Sequence, residues 1–190
     1  MLLYLASSSK RRKDLLAQIG LSFKVLVPDV EERLDPKHLE TSLKRLAKKK
    51  AEDAIARYGV KEGLVLGADT IGILDKKIIV KPEDEQDARD ILSALSGRSH
   101  QVLTAVCLID AGTGRCRTCL ERTRVTFYPL SNEDLEWYIG TGEWKGKAGA
   151  YAVQGQGAVL VKRISGDYCN VVGLPVSLVW RMIQASNNGL

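Results

Sequence analysis

Leu2-Leu3-Tyr4-Leu5-Ala6-Ser7-Ser8-Ser9-Lys10-Arg11-Arg12-Lys13-Asp14-Leu15-Leu16 runs from an apolar stretch through three hydroxyls into a basic segment. Leu2 to Ala6 suits a buried strand, and Leu15, Leu16 and Ile19 set a helix that Gly20 can cap. The turn between them combines three anion-binding devices: hydroxyl donors, the free amides of a helix start and guanidinium forks. Cations in a first helical turn oppose the helix macrodipole, so the pattern fits either a site for an anion or a surface turn rich in basic residues.

The same alternation of strand and helix continues outward from this unit. Phe23 to Val27 reads as a strand, followed by the acidic turn Asp29-Val30-Glu31-Glu32 and a long helix from about Leu39 to Tyr58. Leu64 to Asp69 reads as a buried strand, and Ile71 to Val80 as a hairpin turning at Asp75-Lys76-Lys77. Asp84 and Asp87 open a helix that Ser96-Gly97 ends, and the strands Gln101 to Ile109 and Arg115 to Tyr128 flank a glycine turn. Ser131 and Asp134 start a short helix in the manner of a capping box. Six glycines between Gly140 and Gly157 then predict a shaped loop region, before a strand Ala158 to Ile164 and a helix Pro175 to Ala185. The class is α/β with a mixed sheet.

With 190 residues the chain is expected to be a single domain, or one fold built as two lobes. Hydrophobic residues at 45% and charged residues at 27% exclude intrinsic disorder, collagen and a coiled-coil rod. No run of 18 apolar residues occurs, and the opening from Met1 lacks a basic leader, so a soluble cytoplasmic protein without a membrane partner is expected. Nine of the 28 cations fall in Lys10 to Lys13 and Lys44 to Lys50 without an acid among them, which leaves 19 cations against 23 acids elsewhere. Concentrated charge of this kind suits a local anion such as phosphate, or two solvated helix faces. Aromatic residues at 6%, not interleaved with the basic runs, leave few stacking platforms for nucleic acid.

Several single residues stand out. Lys50 falls on or beside the apolar stripe of its helix, so it either snorkels to water or meets an anionic partner. Asp69 is read as ending its strand, where it forms a turn or serves as a metal ligand or base. Cys116 and Cys119 have the spacing of half a zinc site, but on a strand residues three apart face opposite sides. No P-loop, dinucleotide fingerprint or serine-hydrolase elbow is present.

Together the blocks Leu5 to Arg12, Leu66-Gly67-Ala68-Asp69-Thr70, Leu95 to Val102, Lys147 to Gly155 and Asn170 to Pro175 resemble, in order, those of the Maf-like nucleotide pyrophosphatases. The resemblance implies hydrolysis of a nucleoside triphosphate between its α and β phosphorus. It also implies a fold similar to inosine triphosphate pyrophosphatase: an elongated mixed sheet flanked by helices, with two lobes and a central cleft. By motif, Ser7, Ser9, Arg11, Arg12, Lys50 and Lys81 would surround the phosphates. Glu32 and Asp69 would serve a divalent metal, Mg2+ or Mn2+, and Asp69 would accept the proton of the attacking water.

The Lys147 to Gly155 block resembles the branch acting on dTTP and UTP, with Arg11, Thr70 and Gln154 at the positions linked to base choice. A homodimer is implied by the same resemblance. The competing reading is a nucleic-acid-binding or partner-binding regulator of cell division without turnover. Lys10, Lys49, Gly72 and Val80 depart from the family pattern, and Val80 adds a side chain before Lys81 where family backbones leave room.

Overall fold

In the computed structural model, which describes residues 2–187, the quoted opening forms strand β1 (Leu3–Ala6) and helix α1 (Lys10–Gln18). Met1 and residues 188–190 lie outside the described residues. Then come β2 (Lys24–Leu26), α2 (Leu39–Tyr58), β3 (Leu64–Leu74), β4 (Lys77–Ile79), α3 (Glu85–Leu95), β5 (Ser99–Asp110) and β6 (Cys116–Phe127). The chain continues through α4 (Asn132–Gly140), β7 (Val161–Ser165), α5 (Tyr168–Val172) and α6 (Val176–Asn187). The strands form one seven-stranded mixed sheet in the order β2-β1-β3-β5-β6-β7, with β4 paired to β3. β1 is parallel to both β2 and β3, whereas β4 on β3 and β7 on β6 are antiparallel.

The chain divides into two compact units, and β3, β5 and β6 each contribute residues to both. The first comprises residues 1–70, 104–121 and 173–190. Its core takes Leu5 from β1, Leu15 and Leu16 from α1, Leu43 and Ala47 from α2 and Val179 from α6. The apolar residues of α2 recur at helical spacing, so one face is buried and the chain ends cleanly at Gly59, in the left-handed region at φ 62°. The second unit comprises residues 71–103 and 122–172, with a core built on α3, α4, Phe127, Trp144 and Tyr151. Asp84 caps α3 and Ser131 with Asp134 completes a capping box on α4, as expected.

Two expectations need correction. The strand read as ending at Asp69 is continuous for 11 residues, because β3 runs on past Asp69 to pair with β4 through Gly72↔Ile79. Asp69 nonetheless lies two residues beyond Gly67, the level at which β1 ends at Ala6. The strand read from Ala158 begins at Val161, since residues 156–160 coil into a 3-10 turn. The sulfur beside Cys116 is that of Cys107 on the neighbouring strand, 3.4 Å away.

Candidate active site

Ser9 is the N-cap of α1, and its hydroxyl accepts from the Arg12 amide at 3.4 Å. Ser7, nearly buried, accepts from the Ser9 amide at 3.2 Å. Unlike α3 and α4, α1 carries no acid in its first turn, where Lys10, Arg11 and Arg12 stand instead. The positive end of the helix and its cations therefore reinforce one another.

Arg12 turns inward. Its Nε donates to the Gly173 carbonyl at 2.9 Å, Nη1 to Ser7 Oγ at 3.3 Å and Nη2 to Thr70 Oγ1 at 3.1 Å. Those partners are neutral, so they aim the guanidinium without cancelling its charge. Burial lowers its pKa from the ordinary 12.5, with Asp69 and Glu32 opposing and Arg11 adding to the shift. An arginine so placed stays charged in water at neutral pH. Thr70 Oγ1 also lies 2.9 Å from Thr104 Oγ1 and 3.3 Å from the Gly173 carbonyl, so its single proton is committed to one of them.

Lys50 and Asp69 meet because α2 lies directly against β3. A Cβ built on Gly67 would fall 2.2 Å from the Ala47 carbonyl oxygen and 3.0 Å from the Ala51 amide nitrogen. Only glycine permits that approach, which sets Lys50, one residue before Ala51, beside Asp69, two residues after Gly67. Lys50 is 7% exposed and Asp69 8%. Lys50 Nζ donates to Asp69 Oδ1 and to Glu32 Oε1, both at 2.5 Å. Of the two readings left open for Lys50, the anionic partner is the one realised.

Glu32 comes from the segment between β2 and α2 and keeps 53% of its side chain exposed. That segment is stitched to α2: the Asp29 amide donates to Asp53 Oδ2 at 2.8 Å, and Arg57 Nη2 donates to Asp29 Oδ2 at 2.8 Å. A cavity of about 410 Å3 is lined by Glu31, Arg33, Arg45 and Lys49 among others, without Lys50 or Asp69.

Ser7, Ser9, Arg11, Arg12, Glu32, Lys50, Asp69 and Thr70 all belong to the first unit, where hydrogen bonds join Ser7, Ser9, Arg12 and Thr70 in one set and Glu32, Lys50 and Asp69 in another. Lys81 and Gln154 belong to the second unit, where both are exposed. Val80 is 59% exposed, so its added side chain meets solvent. Lys10 and Lys49 are exposed too, and Gly72 leaves room for Ile79, whose Cδ1 would sit 3.2 Å from an added Cβ.

Two carboxylates converging on a single cationic point form a donor set that fits a hard divalent ion. Among the described residues no group of three or more His, Cys, Asp or Glu could hold an ion, so one would complete its shell with substrate oxygens and water. Thr104, which lies against Thr70, carried no sequence signal of a role, and Gly173, whose carbonyl holds Arg12, lay in a matching block that assigned it none.

A buried lysine is thus gripped by two acids, near an arginine that neutral oxygens aim at a helix start. The chain belongs to the Maf family: the model described as "Maf-like protein" matches residues 2–186. It is similar to the dTTP/UTP pyrophosphatase of Symbiobacterium thermophilum, 47% identical over 95% of this chain and 92% of that one. The dTTP/UTP pyrophosphatase of Syntrophomonas wolfei subsp. wolfei is 46% identical over 94% of each chain, and that of Escherichia coli O157:H7 is 43% identical over 97% and 93%. Among solved structures, a nucleoside-triphosphatase / dITP/XTP pyrophosphatase from Mycobacterium abscessus has a TM-score of 0.43 at 14% identity, covering 68% of this chain and 76% of that one. That likeness is too remote to add to the fold assignment.

Proposed function

We propose that the protein hydrolyses dTTP and UTP between the α and β phosphorus, giving the monophosphate and pyrophosphate. The observation that carries the reading is the Lys50 ammonium held by Asp69 and Glu32. The names of relatives at 43–47% identity support the choice of nucleotide.

In the proposed reaction, Ser7, Ser9, Arg11, Arg12 and Lys50 bind phosphate oxygens and spread their charge, which is most of what phosphoryl transfer asks of a protein. A water oxygen bonds to one phosphorus of the α–β bridge, and the other phosphate leaves with the bridging oxygen. Asp69 accepts the proton that the water loses, a role worth roughly 10²–10⁴-fold. A divalent ion, Mg2+ or Mn2+, held by Glu32 and Asp69 would neutralise charge on the phosphate oxygens. Thr70 acts through Arg12, whose guanidinium it helps to hold. Lys81 and Gln154 are assigned to substrate by motif, Gln154 to the carbonyl and imide edge of the pyrimidine.

The test is pyrophosphate release from a panel of nucleoside triphosphates, methylated and damaged bases included, with either metal. Turnover of dTTP and UTP is expected to exceed the others, and wild-type turnover in Asp69→Asn would overturn the role of Asp69. No helix among the described residues is long and apolar enough to cross a membrane. A cytoplasmic homodimer is the proposed working form, checked by analytical ultracentrifugation.

A further inference from the structure

The glycine tract of the second unit closes on one carboxylate. Glu143 is the only acid between residues 137 and 166. Its Oε1 accepts from the Gln156 amide at 3.0 Å, and its Oε2 accepts from the Gly157 amide at 2.8 Å and the Tyr138 hydroxyl at 3.0 Å. The Tyr138 oxygen in turn accepts from the Ala152 amide at 3.3 Å. The segment 152–157 is therefore held at both ends by one connected pair of side chains. Gln154 stands in its middle with its side chain exposed.

The glycines are spaced for this arrangement. A Cβ on Gly155 would fall 1.7 Å from Glu143 Oε1, and a Cβ on Gly157 would fall 2.8 Å from the Ala152 carbonyl oxygen and 3.0 Å from the Tyr138 oxygen. Burial opposes ionisation of Glu143, but the Gly157 and Gln156 amides, the Tyr138 hydroxyl and Lys147 together hold its carboxyl below the usual carboxylate range. The bonds are consequently charge-assisted at neutral pH, the stronger kind.

We infer that Glu143 is a positioning residue for base recognition: by binding the amides of Gln156 and Gly157 it fixes the backbone that aims Gln154. The inference rests on the proposed assignment of Gln154 to the pyrimidine and deepens it. Glu143 touches no substrate in this scheme. Its loss should relax the choice of base and raise KM while leaving kcat nearly intact, because the acids, lysine and arginine of the first unit are unchanged.

The experiment measures kcat and KM for dTTP, UTP and dCTP in wild type, Gln154→Ala, Glu143→Gln, Tyr138→Phe and the double variant Glu143→Gln/Gln154→Ala. Gln154→Ala and Glu143→Gln are each expected to lower the dTTP-to-dCTP ratio of kcat/KM by about tenfold, with little further loss in the double variant. Tyr138→Phe should shift the ratio in the same direction by less. An unchanged ratio in Gln154→Ala sinks the assignment of Gln154, and the inference with it. A lowered ratio in Gln154→Ala with an unchanged one in Glu143→Gln sinks the inference alone. So do additive losses in the double variant, or a fall in kcat without a change in the ratio. Should Glu143→Gln fail to fold, as judged by circular dichroism, Tyr138→Phe decides: an unchanged ratio there overturns the inference.

Discussion

Asp69 and Glu143 are both carboxylates held by hydrogen bonds, and the company they keep is opposite in kind. Asp69 meets the ammonium of Lys50, a charged group on a flexible stem, inside a cluster that also holds Glu32 and Arg12. Glu143 meets two backbone amides and a phenol, which are neutral donors fixed by the chain itself. Mobile charges can be redistributed when a polyanion arrives, whereas an amide cradle has one geometry and gives shape. Under the proposed function the first unit responds to substrate charge, and the second unit's glycine tract holds a surface still.

The sharpest way to break that contrast is Asp69→Asn. It should reduce pyrophosphate release by about 10²–10⁴-fold, while Glu143→Gln leaves kcat close to wild type. Comparable losses in kcat would erase the distinction.

Next in size is Lys50→Met. Removing the cation leaves buried Asp69 without its ion-pair partner, and breaking a buried pair costs about 3–5 kcal/mol. Urea melts should register that loss. A melt unchanged from wild type would show that the acids are stable without the lysine.

A third test uses pH to probe the second unit. His100 is buried against Phe127 and Tyr151, with Nε2 2.9 Å from the Tyr151 hydroxyl and Nδ1 without a partner among the described residues. Burial lowers its pKa from 6.5 to about 4. Between these values the unfolded chain binds the proton and the folded one does not, so stability is full above pH 6.5 and falls as pH drops toward 4. The loss amounts to roughly 3 kcal/mol for this group. His100→Leu should flatten that part of the wild-type stability curve, and an unflattened curve would locate the acid sensitivity elsewhere.

The smallest effect is expected from Gly67→Ala. The added methyl would meet the Ala47 carbonyl and should cost about 1–3 kcal/mol. Because the same contact sets Lys50 beside Asp69, turnover should fall along with stability. Full turnover in a destabilised variant would show that the acid–lysine cluster tolerates a shift of α2.

Legibility differed between the regions for physical reasons. The bounds Leu39–Tyr58 of α2 and the place of Lys50 on or beside its apolar stripe follow from a periodicity that α2 obeys throughout, whereas the choice between water and an anionic partner was made by Asp69 and Glu32. The end assigned to the Asp69 strand was wrong because small and polar residues imitate a strand terminus. Pairing with β4 instead carries β3 on for five more residues. Arg12 was recognisable as an anion ligand, but its hold on the Gly173 carbonyl, 161 residues away, was not. Glu143 was invisible for a similar reason: its amide partners lie 13 and 14 residues onward, beyond any helical or strand period. A lone acid amid glycines was the one clue.

What the amino-acid order determined alone was local and periodic: every helix but the short α5, the basic helix start, the glycine tract and the motifs that mark the Maf family. Tertiary structure decided which charges meet. Lys50 reaches Asp69 and Glu32 only because Gly67 lets α2 seat on β3, and Glu143 finds its amides only when the glycine tract folds back over it. Backbone bonding is written in neighbouring residues, whereas the pairing of a buried charge depends on which distant group packing brings within hydrogen-bond reach.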